Sequence, residues 1–131
     1  MKTACLITSL LLTPVLTQAA DIESLLEGYR SAGATTFSAA RGMRLWSATS
    51  TIDGEQRACS SCHTDDPASP GRHAKTGKPI EPMAASVNPS RFSDAAKVEK
   101  WFRRNCKWTL DRECTPQEKG DLLTWLNTGQ E

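Results

Sequence analysis

Cys59-Ser60-Ser61-Cys62-His63 lies near the middle of a 131-residue chain and constrains everything around it. The pattern C-x-x-C-H is the attachment site of a c-type haem. Two thiols three positions apart each add to one vinyl group of a porphyrin, and the adjacent imidazole reaches the iron from the same side. A redox C-x-x-C belongs beside a β-α-β pattern, which the flanking residues do not supply. A structural zinc site needs a second ligand pair at short spacing, and the other histidine, His73, stands ten positions on. The expected cofactor is therefore one covalent haem c held through Cys59 and Cys62, with His63 as an axial iron ligand.

Upstream, residues 1–20 differ in kind from the rest. Met1-Lys2 opens a mostly apolar run, and Thr17-Gln18-Ala19-Ala20 offers small residues before the charged Asp21. This is the layout of a secretory signal peptide, too short and interrupted to span a bilayer. The expected organisation is a signal peptide over 1–20, leaving with Cys5, and a single cytochrome c domain over 21–131. Export agrees with haem attachment, and no membrane span is expected after processing. Without Lys2 the remaining chain has 15 basic and 15 acidic residues. That balance argues against nucleic acid as a partner, since phosphate binding requires a basic excess.

Cys106 and Cys114 remain, eight positions apart. In an exported chain two leftover cysteines most simply form a disulfide. Closing so short a loop stabilises by about 2–3 kcal/mol on the chain-entropy model.

The flanks read as all-α, about four helices around the haem. Ile22, Leu25, Leu26 and Tyr29 recur at helical spacing from Asp21 to about Ala32, and Gly33 ends the run. A second helix is expected over Ala39–Ser47, capped by Ser38, with Met43, Leu45 and Trp46 available for burial. Pro67, Pro70, Pro79, Pro82 and Pro89 break up residues 64–92, which read as a loop around the haem edge anchored by Ile80, Met83 and Val87. A third helix should begin at an N-cap Ser93 and place Val98, Trp101, Phe102 and Asn105 on one face. Thr115-Pro116-Gln117-Glu118 is a capping box opening the last helix, with Leu122, Leu123, Trp125 and Leu126 as its stripe.

The sixth iron ligand separates an electron carrier from a gas-binding protein. Met83 is the ordinary thioether candidate, but it follows His63 by only twenty positions and serves equally as a core residue. His73 stands in a Pro-Gly-Arg setting that suits a solvated imidazole. Asn105 is an amide on an apolar face, where coordination would satisfy it, yet Asn near a helix end is often a cap. On the residues alone all three stay open. Lys97, Lys100, Arg103, Arg104 and Lys107 make the same helix basic, either as a solvated face or to meet haem propionates or an acidic redox partner.

Thr76-Gly77-Lys78, Arg91-Phe92, Val98-Glu99-Lys100-Trp101, Arg104-Asn105-Cys106, Cys114-Thr115-Pro116 and Asp121-Leu122-Leu123, in step with the haem motif, closely resemble the sphaeroides haem protein (SHP) family. These are oxygen-binding monohaem cytochromes c of bacterial periplasms. The resemblance covers nearly all of residues 21–131, and Arg-Asn-Cys with a second Cys eight positions later is its specific part. It implies that Asn105 is the distal ligand and that Cys106 and Cys114 are bridged. Met83 is a departure that keeps the rival ligand in play. The resemblance also implies release of Asn105 on reduction and binding of O₂, NO or CO. Oxygen reductase or nitric oxide dioxygenase chemistry, and electrons from another cytochrome, often dihaem, go with it. Trp101 and Phe102 would line the pocket, and a monomer is expected. The rival function is a plain electron carrier with fixed His63 and Met83.

Overall fold

The computed structural model describes residues 19–128. Five helices carry it: α1 Ala19–Ser31, α2 Ala39–Ser47, α3 Ser60–His63, α4 Ala95–Leu110 and α5 Pro116–Thr128. Two minimal antiparallel ladders sit between them, β1 Ser50–Ile52 with β2 Glu55–Arg57, and β3 Gly71–Arg72 with β4 Pro79–Ile80. The all-α expectation holds for the core; the ladders are additions to it. Asp53-Gly54 takes positive φ at both positions (53° and 79°), the turn that joins β1 to β2. The proposed signal segment lies outside the described residues, except that Ala19 and Ala20 open α1.

Local sequence sets the helix ends. At the close of α1, Gly33 adopts φ 98°, its N–H bonds to Arg30 O and the Ala34 N–H reaches back to Tyr29 O, both at 3.0 Å. That is a Schellman stop, which needs a glycine at the left-handed position. Ser38 caps α2 by accepting from Arg41 N. Thr115 and Glu118 bond reciprocally to each other's N–H groups at 3.2 and 2.8 Å, the expected capping box. The cap of α4 is corrected by one residue: Asp94, extended and accepting from Lys97 N, is the N-cap, while the Ser93 hydroxyl bonds to Ser90 O. Helix α4 then runs on past Asn105 to a left-handed Asp111, so Asn105 is an interior residue and not a cap.

Helix α5 is the centre of the core. Leu122, Leu123, Trp125 and Leu126 are buried against Ile22, Leu25, Leu26 and Tyr29 of α1, Trp46 of α2 and Val98 of α4. Helix α2 lies close on it because Gly42 has no side chain; a Cβ there would fall 2.2 Å from Asp121 O. Met43 and Val87, expected as buried anchors, are exposed (43% and 53%), since the apolar face of α2 is taken by Leu45 and Trp46 and the loop is held by Pro67 instead. Pro67 is fully buried, and its carbonyl accepts from Met83 N and Ala84 N at 2.8 and 2.9 Å.

Two polar knots tie the helices together. The Tyr29 hydroxyl donates to Glu99, which also receives Lys119 Nζ at 2.7 Å, joining α1, α4 and α5. The buried Asp121 accepts from Ser38 N (2.7 Å), Gln117 Nε2 (3.1 Å) and the Arg41 guanidinium (2.7 and 2.9 Å). Asp121→Ala is expected to lower the unfolding free energy by about 2–3 kcal/mol, mainly through the lost hydrogen bonds, the charge pair being solvent-screened. Urea unfolding should show a lower midpoint at unchanged slope; an unchanged midpoint would make the knot incidental.

Candidate haem-binding site

Helix α3, a single turn, presents the attachment motif. The backbone around it is closely held: Cys62 N and His63 N both bond to Cys59 O, and Ala74 N donates to Cys62 Sγ at 3.3 Å. Gly71 packs directly behind the motif, because a Cβ at that position would lie 2.2 Å from Cys62 O and 2.9 Å from His63 Cα. Cys59 and Cys62 both line one cavity, and neither is bridged to another cysteine. Burial pushes the Cys59 thiol up to about 11, partly offset by a hydrogen bond with Thr109. Burial, and then the Arg91 guanidinium, hold the His63 imidazolium down to about 4, so the ring is neutral near neutral pH, with one ring nitrogen protonated and the other free as a donor.

These groups form one wall of a cavity of about 540 Å³. That volume is within the range of small-molecule and cofactor sites, roughly 300–1,000 Å³. Leu45, Trp46, Phe92, Val98 and Leu126 give it apolar surface. Lys75, Lys78, Arg91, Lys97 and Arg104 also line it, against the single carboxylate of Glu81. The donor set matches a c-type haem: two thiols and an imidazole on one wall, apolar faces for the macrocycle, and a basic rim for two propionates. His63 Nδ1 is buried and hydrogen-bonds to no described residue. Among the described residues no cluster of three or more His, Cys, Asp and Glu could hold a metal ion.

All the remaining candidates reach the same cavity. Met83 is half-buried, packs against the apolar core and has its N–H on Pro67 O. His73 lies at the margin, exposed, with Nδ1 accepting from Lys75 N and Thr76 N at 3.2 Å, which organises residues 73–78. Phe102 is half-buried; Trp101 is 45% exposed, with the Arg104 guanidinium 5.0 Å over its ring. Asn105 projects from α4 onto the cavity lining; against the expectation of an amide on a buried apolar face it is exposed, and its carboxamide forms no hydrogen bond with any described residue. Next to it, Cys106 is bonded to Cys114 across a Cα–Cα distance of 5.5 Å, fixing the last turns of α4 to the start of α5. The five basic residues of α4 are exposed; Lys97 and Arg104 face the cavity, and Lys107 pairs with Asp111.

Three contributors went unread in the sequence. Arg91 donates to Glu81 O and Pro82 O, bracing the segment that carries Met83. Gly71 allows the close approach behind Cys62. Trp46 was read only as a core residue. Pro70-Gly71 was the one available signal for Gly71, and it reads equally well as a turn.

A family model described as a domain of unknown function (DUF1924) matches residues 32–126. The chain is similar to the cytochrome c-type protein SHP of Cereibacter sphaeroides, 39% identical over 122 residues that cover 92% of this chain and 94% of that protein. It is similar to the solved structure of oxidized SHP, described as an oxygen-binding cytochrome c, with a TM-score of 0.76 at 40% identity, covering 82% of this chain and 96% of the other. A solution structure of cytochrome c'' from Methylophilus methylotrophus, discussed in terms of haem-ligand detachment, gives 0.76 at 33% identity over 86% and 97%. Among the described residues no helix is long and apolar enough to cross a membrane.

Proposed function

The chain belongs to the SHP family of monohaem c-type cytochromes, carrying one covalently bound haem, and on that premise we propose that it binds O₂ or NO at the distal side once Asn105 has left it. The observation that carries this is the placement of Asn105: interior to α4 and on the cavity lining, exposed there and hydrogen-bonded to no described residue.

When bound, haem supplies an iron that cycles between ferric and ferrous and accepts a diatomic ligand at an open position. Cys59 and Cys62 anchor it and His63 is the proximal donor. Asn105 offers a carboxamide oxygen, a hard donor that suits ferric iron better than ferrous. It would therefore bind the haem iron in the oxidised protein and let go on reduction. The Cys106–Cys114 bridge keeps α4 in place, so the side chain swings and returns without the helix melting. Phe102 and Trp101 narrow the access of water. The basic rim pairs with propionates, and the outer face of α4 receives an electron-donating cytochrome with an acidic surface. Export to the periplasm, through residues 1–20, and turnover of O₂ or NO as an oxygen reductase or nitric oxide dioxygenase complete the proposal. Supporting it, the relatives are described as oxygen-binding and as undergoing haem-ligand detachment.

Met83 lines the same cavity and sustains a second reading, an electron carrier with fixed His63 and Met83 ligation. The visible spectrum of the anaerobically reduced protein, before and after CO, separates the two. A five-coordinate high-spin spectrum that converts on CO is expected. A sharp low-spin spectrum indifferent to CO would mean a firmly held sixth ligand and an electron carrier.

A further inference from the structure

Histidines that bind metals ordinarily donate their second ring N–H to a carboxylate or carbonyl, which fixes the ring. Among the described residues His63 has no such partner: Nδ1 is buried and unbonded. What touches its ring is Trp46, with centroids 5.3 Å apart at a 40° tilt. Trp46 is itself 4% exposed and held from behind by Trp125, edge-on at 5.1 Å.

Trp46 makes one polar contact, and it falls on the residue after His63. Its Nε1–H donates to Thr64 O at 2.8 Å. Thr64 has φ 65° and ψ 168°, a backbone region that glycine alone enters without strain. A β-branched residue persists there only when its surroundings over-determine it. The Thr64 N–H on Ser60 O and its hydroxyl on Asp66 O contribute, and the indole bond closes the set from the core side. One side chain thus fixes both the imidazole plane, by its face, and the backbone that carries the imidazole, by its N–H.

We propose that Trp46 is the positioning residue for the proximal histidine, setting the orientation of the His63 ring in place of a hydrogen bond at Nδ1. The inference rests on His63 as the proximal ligand and is independent of which residue fills the distal position. A proximal imidazole without an acceptor stays neutral and is a weaker donor than a hydrogen-bonded one.

The test uses the holoprotein and reads ring orientation, not activity. The pattern of haem-methyl shifts in the paramagnetic NMR spectrum of the ferric protein reports the plane of the axial imidazole, and the iron–histidine stretch in resonance Raman reports its bond in the ferrous protein. Trp46→Phe keeps an aromatic face and loses the N–H; it is expected to reorder the methyl shifts and move the stretch. Trp46→Leu should do so more strongly. Thr64→Gly, placed in the Trp46→Phe background, should return the wild-type pattern, because glycine occupies that backbone region unaided. Leu123→Ala, a buried change away from the cavity, should lower the melting temperature with the methyl order intact. If Trp46→Phe leaves both signatures at wild type while stability falls, Trp46 is core packing only and the proposal is wrong. Should Trp46→Leu fail to retain haem, the phenylalanine variant decides alone. The stretch is seen only in five-coordinate ferrous haem, so lack of an iron–histidine band in the wild-type protein would mean that a sixth ligand is kept on reduction, and the ferric methyl shifts then decide the proposal alone.

Discussion

Asn105→Ala is expected to leave the ferrous spectrum as it is in the unaltered protein and to change the ferric one, because on the proposed reading the amide is engaged only in the oxidised state. A ligand that prefers ferric to ferrous iron by about ten- to a hundred-fold lowers the midpoint potential by roughly 60–120 mV, so its removal should raise the potential by that amount. The second expected change is kinetic. On the same reading the Asn105 amide, once off the iron, would donate a hydrogen bond to a bound diatomic, and a bond worth about 1.4 kcal/mol corresponds to a tenfold change in rate. O₂ should therefore leave the variant about tenfold faster, as read by stopped-flow displacement with CO. Met83→Leu is the matched control, since both side chains face the same cavity. It should alter neither the ferric spectrum nor the potential. The reverse outcome, with Met83→Leu shifting both and Asn105→Ala neither, would establish the electron-carrier reading.

Gly71→Ala should be more damaging than its size suggests. The added methyl lands 2.2 Å from Cys62 O and 3.1 Å from Cys62 C, and both are backbone atoms of the attachment motif. Backbone cannot rotate away as a flexible side chain would. The cost is expected at or above the upper end of ordinary overpacking, about 3 kcal/mol, a large share of the roughly 5–15 kcal/mol that holds a domain of this size. Because the strain falls on the turn bearing Cys62 and His63, the yield of covalently attached haem should fall as well, as read by haem staining against total protein. Gly77→Ala is the comparison: its φ is 67°, but a Cβ there meets nothing within 4 Å. It should cost only the conformational penalty, roughly 1–2 kcal/mol, and leave attachment normal. Normal attachment in Gly71→Ala would show that the motif can shift to make room.

The elements legible in the sequence are those whose cause is local. The haem motif, the Ser38 cap, the Gly33 stop and the Thr115–Glu118 box all act within a few positions, and helices form where they indicate. Asp94 took the cap expected of Ser93 because the preceding 3-10 turn, Pro89–Phe92, uses the Ser93 hydroxyl and leaves Asp94 as the first extended residue. The illegible elements depend on partners far along the chain. Asp121 stands beside an apolar stripe and looks like a surface charge until Ser38 and Arg41 arrive from about eighty positions away. Gly71 looks like a turn residue until it is set against Cys62. Trp46 reads as core because nothing nearby in sequence suggests its bond to Thr64, eighteen positions on. At the distal side, spacing alone could not rank Asn105 and Met83; the uninterrupted course of α4 through residue 105 removed the capping alternative.

The seam between α2 and α5, with Gly42 against Asp121 and Ser38 bonded to it across 83 positions, also sets a timetable. A polypeptide emerging N-terminus first delivers Cys59, Cys62 and His63 more than fifty residues before the last helix appears. Until then the face of Trp46 turned toward Trp125 is uncovered, and the cavity wall lacks Leu122 and Leu126. The attachment motif is therefore complete while the wall around it is still open, and completion of α5 closes the compartment behind it.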